Sequence, residues 1–398
     1  MKTNIAVVFG GRSTEHEISI ISANQAMHAL DENKYNIIPI FISKNGKLYS
    51  GEALLKIENY RNMDSLLEKC TEVTFRPIFD DHNLYHVKQS FFSGKPKVFS
   101  NIDIVIPVLH GANGEDGAFQ GLLQTLGIPY VGCDVLSSAN GMDKIFMKMI
   151  LGNQNIPVID FVWFTDKQWY KKQDEIINDI ETKLSYPVIV KPSNLGSSVG
   201  IGRADNREEL ILKIKDAEKY SNRIIVEKLI ERLKEINCSV LGDVDEYEMS
   251  VLEEPIKTGE ILSYQDKYLG GSKGAKGMQA SAKRIPADLS EEMTERIKYL
   301  AGETFRVLSC HGVSRIDFII DETDNSIYVN EINTIPGSLS FYLWEATDLK
   351  FNKLMDRLVE LALKRSREFA HKTLSFDQNI FAMAGSGLGT KGIKGNKI

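Results

Sequence analysis

Residues 312–337 read GVSRIDFIIDETDNSIYVNEINTIPG, and this stretch decides the fold of the C-terminal third. Gly312 to Ile320 and Ser326 to Asn333 are strand-forming runs. The polar Asp321-Glu322-Thr323-Asp324-Asn325 between them has the composition of a hairpin turn. Side chains two apart share one face of a strand, so Arg315 projects with Asp317, and Glu331 with Asn333. Pairing the strands gathers Asp317, Glu331 and Asn333 on one surface beside Arg315. Two carboxylates and an amide carbonyl suit Mg2+, and the arginine suits an anionic substrate or transition state. A solvated sheet face with an incidental salt bridge explains the same spacing. The run Glu331 to Gly337 favours function: its polar residues sit where the strand ends, and Gly337 frees a backbone N–H for close approach.

Upstream, the buried-strand run Ile189-Val190-Lys191-Pro192 ends in a Gly/Ser loop, Ser193 to Gly200. Such loops offer backbone N–H groups to phosphates, and Lys191 adds a point charge. It is not a Walker A sequence, and a plain turn is the alternative. Near the N-terminus, Ile5 to Phe9 and Asn36 to Ile42 read as strands. Between them lies a helix with a capping-box pattern, Thr14-x-x-Glu17, and Ile18, Ile21, Met27 and Leu30 facing inward. A strand–helix–strand opening argues a parallel α/β sheet. Lys44 to Lys97 reads as an irregular elaboration. Ile102 to Leu109 is a further buried strand, ending at His110.

These elements divide the chain into an N-terminal α/β domain (1–135), a smaller α+β domain (136–226) and a C-terminal domain (227–372), followed by a mobile Gly/Lys tail (373–398). Within the third domain, residues 263–283 are rich in Gly and Lys and suit a lid. At 398 residues, two to three domains are expected. The 48 Lys+Arg against 54 Asp+Glu give a net charge of −6, unlike the basic footprint of a nucleic-acid binder. No apolar run reaches the ~18 residues of a membrane helix, and the N-terminus does not read as a secretory signal. Four scattered cysteines make a disulfide framework or cysteine zinc site unexpected and fit a reducing cytoplasm. With no Ser-His-Asp order or G-x-S-x-G elbow, nucleophilic hydrolysis is unsupported. Alone, Glu15 fits helix-dipole complementarity, and His110 fits a buried, hydrogen-bonded histidine.

Along the chain run Gly10-Gly11-x-Ser13-x-Glu15-x-Glu17-x-Ser19, His110-Gly111-x-x-Gly114-Glu115-Asp116-Gly117, Met142-Asp143-Lys144, Val190-Lys191-Pro192 with Gly196 to Gly200, Glu227-Lys228, Lys267-Tyr268, Arg315-Ile316-Asp317 and Glu331-x-Asn333-Thr334-x-Pro336-Gly337. Taken together, these motifs resemble the D-alanine–D-alanine ligase family of the ATP-grasp enzymes, from Ile5 to about Leu363. Each is weak alone; their order and spacing carry the resemblance.

The resemblance implies a three-domain ATP-grasp fold, α/β and α+β, with an N-terminal parallel-sheet α/β domain and ATP held between two antiparallel sheets. It implies Asp317, Glu331 and Asn333 as ligands of Mg2+, with Mn2+ as an alternative. Lys144 and Lys191 would hold the phosphates, with Ser197 and Ser198 in the loop beside them. Glu227 and Lys228 would form the adenine hinge, Glu235 would take the ribose, and Lys267 would reach the γ-phosphate. Glu15 would bind the first amino acid's ammonium, with Ser197 and Tyr268 hydrogen-bonded around it and His110 close by. Arg315 and the Gly337 N–H would stabilise a tetrahedral oxyanion. The implied reaction joins two D-alanines through an acyl phosphate to D-alanyl-D-alanine for peptidoglycan and so for cell shape. The implied protein is cytoplasmic and homodimeric, takes D-alanine and ATP, and has no nucleic-acid or membrane partner.

The family pattern places a serine five residues after the glycine of Pro-Gly, where it helps bind the second substrate's carboxylate. Here that position is Tyr342, and Ser338, Ser340 or Tyr342 would have to serve. The Lys267-Tyr268 pair favours D-alanine over D-lactate as acceptor. D-serine or another amino acid as second substrate, and a non-catalytic nucleotide-binding regulator, are the alternatives.

Overall fold

The computed structural model describes residues 2–88, 96–196, 199–256 and 283–376. The chain separates into a large unit, Met1–Leu363, and a C-terminal unit, Lys364–Ile398, whose described residues are helical to Ala370. The expected mobile tail lies mostly outside the described residues.

The N-terminal sheet is built from β1 (Thr3–Gly10), β2 (Tyr35–Ile42), β3 (Leu48–Ser50), β4 (Thr71–Phe75), β5 (Asn83–His86), β6 (Val98–Asn101) and β7 (Ile104–Val108), in the order β6-β5-β4-β3-β2-β1-β7. β1 pairs in parallel with both β2 and β7. That pairing requires the crossover helix α1 (His16–Ala29) between β1 and β2. The stretch read as an irregular elaboration instead holds three antiparallel strands, β3 to β5, and with β6 just after it extends the sheet by four. Asn45-Gly46 is the hairpin signal at its start: Gly46 has φ +85° and donates its N–H to the Ser43 carbonyl.

The expected Thr14-x-x-Glu17 box is not what starts α1. Glu15 takes the N-cap position, and its side chain makes no cap hydrogen bond. Ile18, Met27 and Leu30 are buried as expected, whereas Ile21 is 37% exposed. Ser19 anchors the helix by accepting the Gly10 N–H at 2.7 Å. The β1–α1 turn needs Gly10 and Gly11, whose φ values are +90° and +94°. A Cβ on Gly10 would stand 2.3 Å from the Ile42 carbonyl.

After α2 (Met63–Glu68), α3 (Ala118–Leu126) and α4 (Val135–Met142), α5 (Lys144–Asn153) opens the second layer. Asp143 caps α5 by accepting the Ile145 and Phe146 N–H groups. A four-stranded sheet follows, ordered β10-β9-β11-β8: β8 (Phe161–Thr165), β9 (Val188–Pro192), β10 (Gly202–Ala204) and β11 (Arg223–Lys228). Helices α6 (Asp166–Lys183) and α7 (Arg207–Ala217) cover one face, burying Trp169, Ile177, Ile180, Leu210 and Ile214 against Val188, Val190, Ile224 and Val226.

The third sheet is ordered β13-β12-β16-β17 and is wholly antiparallel. Its strands are β12 (Leu233–Gly242), β13 (Tyr247–Met249), β16 (Gly312–Asp321) and β17 (Ser326–Asn333). A separate two-residue ladder, β14 (Glu254–Pro255) with β15 (Lys283–Arg284), joins the described residues on either side of 257–282. Most of the expected lid lies in that span, outside the described residues. Helix α8 (Glu291–Val307) is capped by Ser290, which accepts the Met293 N–H. Its Ile297, Leu300, Ala301 and Phe305 pack with Ile316, Phe318 and Ile320. Two further helices, α9 (Phe341–Glu345) and α10 (Phe351–Ala370), complete the chain of elements.

Candidate active site

Alternation along β16 sends Ile316, Phe318 and Ile320 into the core and leaves Arg315 and Asp317 on the opposite face. The register sets Asp317 opposite Glu331 and Arg315 opposite Asn333, as the spacing implied. Arg315 grips Asp317 with both arms: Nε donates to Oδ1 at 2.7 Å and Nη2 to Oδ2 at 2.8 Å. Asn333 Nδ2 also donates to Asp317 Oδ2, at 3.0 Å. On the other side of β16, Asn237 of β12 lies opposite Asp317, and Glu235 lies two residues away on the same face.

The ladder slips beyond Asp317, since Phe318 pairs with Val329 and Asn330 is the extra residue. This β-bulge turns two consecutive side chains, Asn330 and Glu331, out of the core. Strict alternation hides Asn330, which is why the sequence reading missed it.

Both expected phosphate lysines reach this surface. Lys144, the first residue of α5, places Nζ 3.3 Å from Glu331 Oε2 and donates to the Leu195 carbonyl at 2.8 Å. Lys191, near the end of β9, places Nζ 2.6 Å from Glu227 Oε2 and 3.5 Å from Asn330 Oδ1. Glu227 is buried on β11, and burial pushes its carboxyl up. Lys148 and Lys191 outweigh that effect and hold it down at about 2. The neighbouring Lys228 side chain is exposed. A small apolar cluster of Ile159, Ile230 and Ile319, with Leu233 and Tyr328 against it, links the second and third layers.

Loops that follow β1 and β7 of the first sheet supply the other wall. Gly111, at φ +75°, is required by close approach: a Cβ there would stand 2.4 Å from Ser13 Oγ and 2.8 Å from Glu15 Oε2. A Cβ on Gly196 would meet the same Glu15 oxygen at 3.3 Å, so Glu15 lies where the 110–117 loop and the loop after β9 meet. Glu115 accepts the Gly111 N–H at 2.7 Å and the Ile335 N–H at 3.2 Å. Loss of hydration and the nearby Glu15 carboxylate push it up to about 8. His110 is buried, and burial lowers it to about 4. Its Nε2 lies 2.9 Å from Ser22 Oγ, which also accepts the Ser338 N–H at 3.0 Å. Ser22 and Glu115 therefore belong to the site. Glu115 sits in a motif that the sequence reading quoted without giving it a role, and Ser22 carries no motif signal.

Gly337 opens a turn in which Ser338, Leu339 and Ser340 all have φ between +51° and +53°. Left-handed backbone costs an L-residue roughly 1–2 kcal/mol. Three such residues in succession, all buried, mark a segment over-determined by its surroundings. Beyond it, the Tyr342 O–H donates to Glu253 Oε2 at 2.8 Å. Asn237 Nδ2 donates to the same oxygen at 3.1 Å, and Lys283 Nζ pairs with Oε1 at 3.0 Å. That ammonium also stands 4.0 Å from the Tyr342 ring centroid. Burial, beside Glu253, raises the Tyr342 hydroxyl above its ordinary value. Ser197, Ser198, Lys267 and Tyr268 lie outside the described residues.

A mixed sheet with a parallel β2-β1-β7 core precedes two antiparallel sheets, and Lys144 from α5 and Lys191 from the second sheet reach Glu331 and Asn330 of the third. This architecture defines an ATP-grasp ligase. The family described as "D-ala D-ala ligase N-terminus" matches residues 4–133, and "D-ala D-ala ligase C-terminus" matches 150–360. A D-alanine–D-alanine ligase of Caldicellulosiruptor bescii is 44% identical over 374 residues, covering 92% of this chain and 97% of that one. Among solved structures, the D-alanine–D-alanine ligase of Coxiella burnetii aligns with TM-score 0.76 at 32% identity, covering 93% and 96% of the two chains. The VanG D-Ala:D-Ser ligase of Enterococcus faecalis aligns with the same TM-score at 31% identity, covering 91% and 100%. The chain belongs to the D-alanine–D-alanine ligase family, whose members are ATP-dependent ligases.

Proposed function

We propose that the protein joins two D-alanines, driven by ATP, into D-alanyl-D-alanine for peptidoglycan. The observation that carries this reading is convergence. Lys144 from α5 stands 3.3 Å from Glu331, and Lys191 from β9 stands 3.5 Å from Asn330, which adjoins it. Residues distant in sequence thus form one charged surface suited to a triphosphate beside a small carboxylate.

In this reading Lys144 and Lys191 exchange their carboxylate and carbonyl partners for phosphate oxygens, with Ser197, Ser198 and Lys267 assisting. The Ile159–Ile230–Ile319 cluster gives a purine an apolar wall, beside the hinge of Glu227 and Lys228. Glu235 reaches the ribose. The donor set fits Mg2+: two carboxylates and an amide leave room for phosphate oxygens, as this cation prefers. Asp317, Glu331 and Asn333 would hold the ion, which would neutralise phosphate charge when bound. Arg315, fastened on Asp317, is positioned by the same carboxylate.

Glu15 takes the first D-alanine's ammonium, with His110, Ser197 and Tyr268 beside it. The carboxylate of that D-alanine attacks the γ-phosphate, giving an acyl phosphate and ADP. The second D-alanine's amine attacks the acyl carbon, and phosphate leaves. Arg315 and the Gly337 N–H face the developing oxyanion; a donor of this kind lowers the barrier by roughly 3–4 kcal/mol. Tyr342, Ser338 and Ser340 border the acceptor, which is D-alanine. Two copies assembling as a homodimer complete the reading.

A second reading, with D-serine as acceptor, is favoured by one observation: the hydroxyl at the usual serine position is a tyrosine engaged with Glu253. Phosphate release and product mass, measured with D-alanine alone and with D-alanine plus D-serine, separate the two. D-alanine alone should support full turnover. No turnover without the mixed pair would reject the D-alanine acceptor.

A further inference from the structure

Lys148 follows Lys144 by four residues on α5 and shares its face. Its side chain is 0% exposed, and Nζ lies 3.1 Å from Glu227 Oε1, on a side chain 1% exposed. The other Glu227 oxygen holds Lys191 at 2.6 Å. Neither Glu227 Oε1 nor Lys148 Nζ has a hydrogen-bond partner among the described residues, so the ion pair between them is what compensates both buried atoms. No step described above uses Lys148, although a buried ammonium is costly unless it is paired.

The arrangement has two ammonium groups on one carboxylate, and only one of them is sealed from solvent on all sides. Lys191 is 9% exposed and borders the surface where the phosphates are read to lie. If Lys191 turns to a phosphate, it leaves Glu227. Without Lys148, that departure would strand a buried carboxylate, and the cost would hold Lys191 in place. We propose that Lys148 is a positioning residue, the permanent counter-ion of Glu227 that frees Lys191 to exchange its carboxylate for a nucleotide phosphate. The inference rests on the reading of Lys191 as a phosphate ligand.

The test is steady-state phosphate release by the full chain, with ATP varied at saturating D-alanine. Lys148→Met should raise the KM for ATP roughly tenfold or more while kcat stays near that of the parent. Lys148→Arg, which keeps the charge, should restore most of the loss. In a Glu227→Gln background the trapping carboxylate is gone, and Lys148→Met should change the KM for ATP by less than about twofold. If Lys148→Met does not fold, the near-isosteric Lys148→Gln takes its place in both backgrounds. A loss confined to kcat, or an equal rise in KM in both backgrounds, would overturn the proposal. If the parent turns over no D-alanine, the reading of the reaction fails; the same variants, compared by calorimetric ATP affinity, still decide the role of Lys148.

Discussion

Replacing Tyr342 by Phe isolates one hydrogen bond. Glu253 is 2% exposed and is satisfied by three groups: the Tyr342 hydroxyl at 2.8 Å, Asn237 at 3.1 Å and Lys283 at 3.0 Å. The substitution deletes the first and keeps the ring, so the Lys283 contact at 4.0 Å and the packing volume survive. A hydrogen bond to a charged group is worth roughly 1.5–3 kcal/mol, and Glu253 cannot recover it from water while buried. The expected loss is therefore about 2 kcal/mol, read from urea unfolding with the slope unchanged. Function should shift as well. Tyr342 and Glu253 are bonded to each other, and Tyr342 borders the proposed acceptor position, so loosening Glu253 should disturb the acceptor side more than the nucleotide side. Phosphate release should need severalfold more D-alanine for half-maximal rate, at an unchanged KM for ATP. A stability loss below about 0.5 kcal/mol with an unmoved D-alanine dependence would refute the argument, because the hydroxyl would then be contributing nothing to Glu253.

Three further outcomes are expected. Glu331→Gln removes a charge from the surface that Lys144 reaches and where the proposed cation would bind. It should weaken Mg-dependent ATP binding roughly tenfold, about 1.4 kcal/mol, measured by calorimetry across a Mg2+ series; an unchanged Mg2+ dependence would contradict the assignment. Arg315→Lys loses the two-armed grip on Asp317 and should lower kcat by roughly 10²–10³, with a smaller effect on the KM for ATP. A stopped assay of ADP formation checks it. His110 is held neutral, lowered by burial to about 4 against about 6.5 in the unfolded chain. Its contribution is intact above pH 6.5 and is lost as pH falls toward 4, because only the unfolded state takes up the proton in that window. The total change across the window amounts to about 3 kcal/mol. Parent and His110→Asn compared by urea unfolding from pH 7 to 4 should converge by that amount, and a constant difference would disprove it.

Local rules reached a good part of the site. Period-2 alternation brought Arg315 with Asp317 and Glu331 with Asn333, and the register matches. They failed where geometry departs from the regular repeat. Asn330 is presented by a bulge, and no alternation rule anticipates one. Ser22 enters because two segments distant in sequence, at His110 and Ser338, meet its hydroxyl. Lys148 reads as a surface residue of an amphipathic helix until the sheet carrying Glu227 covers it. The four antiparallel strands after β2 escaped because β3, β5 and β6 are only three or four residues long, too short for a periodic signal.

The sequence by itself determined which chemistry this chain carries. Carboxylates, lysines, an arginine and glycines at fixed spacings are local facts, and backbone geometry turns spacing into a shared face. Which acidic or amide side chain of the third sheet each lysine meets was decided only by tertiary structure. Lys144 and Glu331, or Lys191 and Asn330, lie more than a hundred residues apart, and nothing local couples them. Their pairing follows from burying the apolar faces of separate sheets, a force without direction or residue identity. The positions of charge at this site are thus a consequence of where hydrophobic surfaces closed.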